Sequence, residues 1–389
     1  LDPGPLLRAG GFDPAEVTPT KPIRYLLGGS ADTHLAWTAA LDGEPVRVEA
    51  TFWKGQAVGF TVLAPDVPFW RQMPETQLWQ GSGADWAMRI VAVFVFVFLL
   101  LLARRNAQLG RGDGPGSRRL LTFVLVGMGG GVILQGHYSF HRFYSLFTVV
   151  IVICFCVGAA VFVRLAYLAV EPPIRKRYPF LLVSWTRLLS GDYRNSLVAR
   201  DALIGLTLGT SVSAARALYA ALPSWIEIRG VPLIYTAADD LIRKRWVLGK
   251  LCEAPLYAIF FGFLVIGVLL LGRMLLRSDG RAWLAPFLLM TLFPIAGGNL
   301  ALEVVLGMVV AGLYLLALRS GGLLSLVLAF FAFQSLSYTP MGLFEGVWYS
   351  DGGLLVVGLL SALAAVAAWL STGGRAILPR GVLDAVDAE

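Results

Sequence analysis

The chain has 389 residues, of which 57% are hydrophobic and 15% charged, and it carries a formal net charge of +7. A soluble domain averages about 45–50% apolar and about 25% charged residues. This composition therefore excludes an ordinary soluble enzyme and a disordered chain, and it indicates a polytopic membrane protein. In that class lysine and arginine anchor loops at the membrane, so the positive charge does not indicate nucleic-acid binding.

Residues 1–85 differ from the rest, because they have the polar composition of a soluble module. Two β-prone runs, Val46–Thr51 and Val58–Leu63, flank Lys54-Gly55, and this arrangement predicts a hairpin. We expect an α+β module of about 80 residues, close to the lower size limit for an independent core. Because the chain begins with Leu1, we expect a fragment or a processed product, with a partner or an upstream segment completing this module.

Two helices are predicted within the module. Either Asp2 as a cap or Pro5 as the first helical residue opens a short helix over Leu6–Ala9. The second candidate is Ala31–Leu41, which is rich in alanine and leucine.

Residues 86–371 alternate apolar runs with short loops and predict a helical transmembrane domain, and residues 372–389 form a tail. A helix needs roughly 20 apolar residues to cross a bilayer. The fold class is therefore mainly α, with about nine spans: 86–103, 120–138, 144–170, 202–221, 254–272, 282–297, 300–317, 322–339 and 353–370. The sixth contains Pro286 and Pro294, so we expect it to be kinked or re-entrant.

Basic residues give the orientation, because they accumulate in cytoplasmic loops. Seventeen lie in one set of alternate loops: 104–119, 172–201, 273–281, 318–321 and 371–389. Six lie in the other set: 139–143, 222–253, 298–299 and 340–352. This asymmetry predicts a multi-pass protein of the inner cell membrane, with the N-terminal module outside and the C-terminal tail in the cytoplasm.

Loop 222–253 is the exception, because it carries Arg243-Lys244-Arg245 on the side predicted to be outside. Asp239–Leu248 is predicted to form an amphipathic helix lying on the membrane. In the neighbouring loop His137 and His141 are four residues apart, but no carboxylate accompanies them, so a metal site is not expected there. Cys154, Cys156 and Cys252 form no Cys-x-x-Cys pair, and neither a disulfide nor a zinc site is indicated.

Two basic segments are candidate coupling elements at the membrane surface. The first, residues 104–113, is either a stop-transfer loop or a docking site for anionic lipid headgroups or for a cytoplasmic domain. The second, residues 171–201, is an elbow between two helices. In it Pro172 and Pro173 are expected to stop one helix, Phe180–Leu189 to lie in the membrane interface, and Asp201 to begin the next helix. The candidate residues are Arg104, Arg105, Arg111, Asp113, Glu171, Arg175, Lys176, Arg177, Trp185, Arg187, Arg200 and Asp201.

Three stretches of these segments occur in a fixed order: Leu109–Asp113 (LGRGD), Glu171–Pro179 (EPPIRKRYP) and Ser184–Gly191 (SWTRLLSG). They resemble the membrane-embedded C-terminal region of a group of bacterial eukaryotic-like serine/threonine protein kinases. Leu7–Asp13, Ala36-Trp37 and Val46–Phe60 are similar to the soluble module of that group, so the resemblance covers roughly residues 5–210. The group tends toward Pro-Leu-Val-Gly-Arg-Asp where this chain has Ser196–Asp201 (SLVARD).

The resemblance implies a cytoplasmic kinase domain, which either precedes the spans in the full-length protein or is carried by a separate chain. The kinase itself is absent from this sequence, which has no Gly-rich loop after a strand, no His-Arg-Asp and no Asp-Phe-Gly. Gly127–Gly131 lies in an apolar span without an adjacent lysine, so helix packing explains these glycines better than phosphate binding.

Charged residues inside spans are costly in lipid and point to function or to pairing. Arg216 lies deep in the fourth predicted span and Glu303 near the start of the seventh, and we expect them to pair. Such a pair would serve either as a structural ion pair that stabilises the helix bundle or as part of a transport or sensing site. Gln334, Ser335 and Ser337 add polarity to the eighth span.

The sequence therefore predicts a non-catalytic anchor and sensor module of a bacterial serine/threonine kinase system. A small-solute transporter or channel, and a structural subunit of a larger membrane complex, are the alternatives. The expected partners are anionic lipid headgroups and a cytoplasmic kinase domain. No cofactor, metal or nucleic acid is expected, and homo-oligomerisation is left open.

Overall fold

A computed structural model describes residues 3–22, 33–41, 44–53, 56–63, 83–135, 143–226, 244–292, 300–337 and 350–373. It consists of an N-terminal module with a small sheet and a C-terminal domain of long helices. The predicted fold class is confirmed at this level, since a small α+β module precedes an apolar helical region.

The module contains one short helix and an antiparallel sheet whose four strands pair in chain order. Its elements are α1 Gly4–Ala9, β1 Thr18–Thr20, β2 Thr33–Leu41, β3 Glu44–Trp53 and β4 Gln56–Leu63. Trp53 lies opposite Gln56, which confirms the hairpin predicted around Lys54-Gly55. Pro5 lies in the first turn of α1, so the first predicted helix is also confirmed, whereas Asp2 lies outside the described residues.

The second helical prediction, Ala31–Leu41, is wrong, because Thr33–Leu41 is strand β2. This strand pairs with β3 along its whole length and with β1 over Thr18–Thr20. Trp37 and Ala36 are buried, and pairing on both edges outweighs the weak helical preference of the alanines.

The core of the module lies between α1 and one face of the sheet. Its buried apolar side chains are Leu7, Phe12, Trp37, Val48, Ala50 and Phe52. On the opposite face of β3 from this core, Arg47 Nε lies 2.7 Å from Glu49 Oε1, and both side chains are buried. Removing one partner of such a pair would leave an uncompensated buried charge and destabilise the module.

The C-terminal domain consists of long apolar helices and short connecting helices. They are α2 Gly83–Gln108, α3 Gly114–Gln135, α4 Phe143–Arg177, a 3₁₀ turn Pro179–Leu182, α5 Val183–Ser190, α6 Ser196–Ile226, α7 Lys244–Leu276, α8 Asp279–Ala282, α9 Leu284–Leu292, α10 Leu300–Ser337 and α11 Ser350–Ser371. Within the described ranges, seven of these helices are long and apolar enough to cross a membrane: α2, α3, α4, α6, α7, α10 and α11. The protein thus has the architecture of a multi-pass membrane protein.

Helix α10 is bent back on itself at Gly321 and Gly322, which have non-helical backbone angles. Tyr314 and Phe330 stack with their ring centroids 4.1 Å apart, although 16 residues of straight helix would separate them by about 24 Å. The two arms, residues 300–320 and 323–337, are therefore antiparallel and pack against each other. The bend falls between the predicted seventh and eighth spans.

The predicted sixth span contains only a short described helix, α9, which is nine residues long. A helix of that length covers about 14 Å, roughly half the hydrocarbon thickness. Residues 293–299, with Pro294, lie outside the described residues. The count of nine spans is therefore not confirmed.

Three predicted helix boundaries are wrong. Pro172 and Pro173 do not stop α4, which continues to Arg177. Asp201 does not begin α6, because the helix starts at Ser196, where Asn195 Oδ1 accepts the N–H of Leu197 as a cap. Of the predicted surface helix Asp239–Leu248, residues 239–243 lie outside the described residues, and Lys244–Leu248 is the start of α7, which runs unbroken to Leu276.

The proline pair is tolerated in α4 because a side chain from α2 replaces the missing backbone donors. Prolines at 172 and 173 leave the carbonyls of Leu168 and Ala169 without their usual helical N–H partners. Asn106, which is buried, donates its side-chain amide to both carbonyls at 3.0 Å.

Small residues allow the helices to approach closely, as the glycine content predicts. A Cβ atom on Gly127 would lie 3.2 Å from the Cys252 carbonyl of α7, and one on Gly131 would lie 3.1 Å from the Gly249 carbonyl. The interpretation of Gly127–Gly131 as a packing surface is therefore confirmed for these two glycines. Gly205 and Gly209 of α6 contact Ser325 and Ala329 of α10 in the same way.

Candidate functional site

Four loops of the helical domain contact one another at one end of the helix bundle. They are residues 104–119, 172–201, 273–281 and 318–322, which together we call the basic face. The Nη1 of Arg119 donates to the carbonyl of Leu189 at 2.5 Å, which joins the first two loops. Four of the five loops predicted to be cytoplasmic thus lie together, while the side of the membrane on which they lie remains a prediction.

Asp279 connects the second and third loops of the basic face. Its carboxylate forms ion pairs with Arg177 and with Arg273, whose Nε lies 2.6 Å away, and it accepts the Tyr178 hydroxyl at 3.0 Å. These hydrogen bonds, that from Arg177 first, lower the pKa of Asp279 to about 2. Burial, together with the hydrogen bond to Asp279, raises the pKa of Tyr178. The carboxylate therefore stays ionised at physiological pH.

The bend of α10 is held beneath the elbow at the same face. The Ser184 hydroxyl donates to the Gly321 carbonyl at 3.4 Å, and the Ser325 hydroxyl donates to the Asp201 carbonyl. A Cβ atom on Gly322 would meet the backbone of Leu181. The elbow, α6 and the α10 bend are thus joined by buried polar contacts.

An open cleft of about 990 Å³ lies on the basic face between the first loop, the end of α4 and α5, and we call it the basic cleft. It is lined by four cationic and two anionic side chains together with small and hydroxyl residues. The lining consists of Arg111, Gly112, Asp113, Gly114, Pro115, Glu171, Pro172, Arg175, Lys176, Thr186, Arg187 and Ser190. All three sequence stretches that carry the kinase-group resemblance contribute to it.

Both carboxylates of the cleft are engaged by protein groups. Asp113 caps α3 by accepting the Gly116 N–H at 2.9 Å, and its other oxygen accepts the hydroxyl of the buried Tyr167 at 3.1 Å. Glu171 is buried and its Oε1 lies 2.6 Å from Arg175 Nε. The cleft therefore has a fixed floor with a surplus of positive charge.

The structure places six of the twelve predicted coupling residues in this cleft: Arg111, Asp113, Glu171, Arg175, Lys176 and Arg187. The other six lie elsewhere. Arg104 and Arg105 are exposed at the end of α2, and Arg177 pairs with Asp279. Arg200 pairs with Asp201 at 2.8 Å.

Trp185 faces the helix bundle, although its place in the predicted surface element implied a side chain in contact with lipid. Its side chain is 2% exposed and meets Phe263 of α7 edge-on with ring centroids 6.1 Å apart. The apolar face of α5 therefore packs onto the bundle, and the interfacial depth of Phe180–Leu189 stays a prediction. Phe180, by contrast, is half exposed.

The intramembrane charges lie where α6 meets α10. The Arg216 guanidinium lies over the Phe333 ring, 5.5 Å from its centroid, and Glu303 is 1% exposed and faces the Tyr219 phenol. Arg216 and Tyr219 lie one helical turn apart, so the structure brings both predicted residues to one helix contact. The direct pairing of Arg216 with Glu303 remains a prediction.

A second polar cavity lies within the helices. It has a volume of about 190 Å³ and is lined by Lys250, Leu251, Glu253, Ala254, Tyr257, Gln334 and Ser335. Among the described residues no group of three His, Cys, Asp or Glu side chains is arranged to hold a metal ion. His137 and His141 lie outside the described residues.

Asn106 and Asp279 are the functional-site residues that sequence reasoning missed. The only signal for Asn106 was a polar residue near the end of an apolar helix, and Asp279 belongs to the predicted loop 273–281, which has no motif. Comparisons with models of known protein families, with curated proteins and with solved structures found no match. The chemistry of the basic face therefore rests on its own geometry.

Proposed function

We propose that this chain is a non-catalytic membrane module of a bacterial serine/threonine kinase signalling system. It anchors the system in the inner membrane, receives a signal through the N-terminal module, and passes a conformational change through the helices to a cytoplasmic kinase domain.

The observation that carries the proposal is the convergence of the three resembling stretches on one cleft. Leu109–Asp113, Glu171–Pro179 and Ser184–Gly191 are far apart in sequence, yet they form one surface at the helix ends. That surface is tied to the α7–α8 loop through Asp279 and to the α10 bend through Ser184. A movement of the helices that shifts the Asp279 or the Ser184 contact would therefore be transmitted to the basic face, where a kinase domain would bind.

The first test is the genomic sequence upstream of Leu1. A kinase reading frame continuous with Leu1, or a kinase gene beside it, supports the proposal, whereas an independent start with no neighbouring kinase overturns it.

The second test measures autophosphorylation by that kinase with this chain in lipid vesicles. We expect Arg177→Gln, which removes one ion pair of Asp279, to change the rate about fivefold, the lower range of coupling between sites. Arg194→Gln is the matched control, because Arg194 is an exposed cation on the same face outside the cleft. Equal rates for both variants and the wild type would contradict coupling through this face.

A small-solute transporter is the second candidate, favoured by the buried Glu303 and by the cavity beside Lys250 and Glu253. Solute uptake by proteoliposomes that is lost in Glu303→Gln would support this candidate over the signalling module. A structural subunit would show neither uptake nor an effect on kinase activity.

A further inference from the structure

We propose that the basic cleft binds the phosphate-bearing headgroup of an anionic lipid. The cleft lies where α2 ends at Gln108, α3 begins at Gly114 and α4 ends at Arg177. The ends of spanning helices lie at the depth of the lipid headgroups, so a phosphate of the adjacent leaflet is at the same level as the cleft.

The charge of the cleft selects an anion. Asp113 and Glu171 are occupied by the Gly116 N–H, the Tyr167 hydroxyl and Arg175, so their charge is directed into the protein. Four cations line the same cleft, which leaves a net positive lining. A divalent metal would meet this surplus of cations, whereas a phosphate would be stabilised by it.

Three of those cations are available to a ligand. Arg111 and Lys176 are exposed, and within the part of the chain that the structure describes neither forms an ion pair. Arg187 donates from Nη1 to the neutral side-chain oxygen of Asn195 at 2.9 Å, so its charge is not neutralised. Two guanidiniums and an ammonium converging from three segments suit the oxygens of a phosphodiester.

The size and the rim of the cleft favour a lipid over a small free ion. Its volume of about 990 Å³ accommodates a whole headgroup and greatly exceeds that of one phosphate. Two exposed apolar side chains are close in sequence to its lining residues: Leu109 is 51% exposed two residues before Arg111, and Val183 is 37% exposed one turn before Arg187 on α5. Such residues are placed to contact the glycerol and upper acyl region of a lipid.

The test uses the full chain in nanodiscs or detergent and counts bound lipid by native mass spectrometry. We expect phosphatidylglycerol and cardiolipin to bind and phosphatidylcholine not to bind. Arg111→Gln combined with Arg187→Gln should weaken anionic-lipid binding about thirtyfold, given the usual contribution of two basic residues at an anionic surface. Arg111→Lys with Arg187→Lys should keep most of the binding, because it keeps both charges.

The matched control is Arg104→Gln combined with Arg194→Gln, which removes the same charge from exposed positions outside the cleft. Binding that falls equally in both double variants would show only general attraction to the basic face and would overturn the proposed site. If the cleft double variant does not fold, Lys176→Gln alone gives the measurement, since that side chain is exposed.

Inorganic phosphate shows whether the cleft binds a lipid headgroup or a free phosphate ion. Millimolar phosphate that stabilises the chain in neutral lipid, with no further effect of anionic lipid, would overturn the lipid assignment. Weak competition by phosphate against a tightly bound lipid would support it. The measurement contains no kinase, so its outcome is independent of the proposed signalling role.

Discussion

Asn106 determines whether α4 can continue through a proline pair. Prolines remove two backbone donors, and in a buried helix the freed carbonyls of Leu168 and Ala169 would lack hydrogen bonds. The Asn106 amide supplies both donors from another helix, 62 residues before the first carbonyl. The elbow keeps its geometry because this one side chain compensates for Pro172 and Pro173.

We expect Asn106→Ala to lower the free energy of unfolding by about 2 kcal/mol, because two carbonyls, one of them fully buried, lose their partners. Unfolding in SDS, followed by tryptophan fluorescence, measures the difference. Gln108→Ala is the control, since Gln108 is exposed at the end of the same helix. Equal stability of the two variants would show that water or a rearranged backbone satisfies the carbonyls.

The helix end predicted at Pro172 and Pro173 was wrong for a physical reason. The rule that proline ends a helix concerns local backbone donors, and it is correct for an isolated segment. Here the missing donor is supplied by Asn106 of α2, so the helix continues, and no local pattern encodes such a long-range contact. The direction of the Trp185 side chain was missed for the same reason. An amphipathic pattern shows that one helix face is apolar, but not whether that face contacts lipid or a neighbouring helix, here at Phe263.

At the scale of the elements, the α10 bend is defined by Gly322. Its φ of 68° and ψ of −158° belong to a region of backbone space that only glycine occupies readily. The glycine also lets the bend approach the Leu181 backbone, with a would-be Cβ 2.9 Å from the carbonyl carbon. Conformation and close packing therefore require the same residue.

We expect Gly322→Ala to destabilise the protein by at least about 1–3 kcal/mol, since the backbone strain alone has that size. The melting temperature in detergent, read by size-exclusion chromatography after heating, measures the effect. Gly312→Ala in the first arm of α10 is the matched control, because a Cβ there meets no atom within 4 Å and alanine favours helix. A Gly322→Ala variant as stable as the control would disprove a glycine requirement at the bend.

The position of this break was predictable from sequence, because an apolar run ends near Arg319 and two glycines follow. Its packing was not, since contact with Leu181 and Ser184 depends on the elbow. The β2 strand shows the same division, because its partners on both sides, not its alanines, determine its structure. Patterns within a segment locate apolar elements, and contacts between segments determine their conformation.

For the whole molecule, the α10 bend constrains the path of the chain. The bend contacts the basic face, so the first arm runs toward that face and the second arm runs away from it. Thr291 of α9 contacts Gly307, which lies 14 residues and about 21 Å before the bend. Residues between Asp279 and Leu300 must therefore carry the chain away from the basic face, whether or not α9 itself spans the bilayer.

This path and the loop charges predict opposite sides for the two ends of the chain. We expect Arg194→Cys and Arg281→Cys, both on the basic face, to react with an impermeant maleimide only after the cytoplasmic side is opened. Glu16→Cys, which is exposed in the N-terminal module, should react in intact cells. The background for both experiments is a chain whose three native cysteines are replaced by alanine.

A reporter fused after Glu389 completes the measurement, because it reports whether the number of crossings is odd or even. We expect cytoplasmic activity, which requires an odd number and agrees with the N-terminal module lying outside. An extracytoplasmic reporter together with an external Glu16→Cys would mean an even number of crossings, so that one of the nine predicted spans would not cross the membrane. That result would contradict the count of nine spans, whereas reaction of Arg194→Cys in intact cells would contradict the predicted orientation alone.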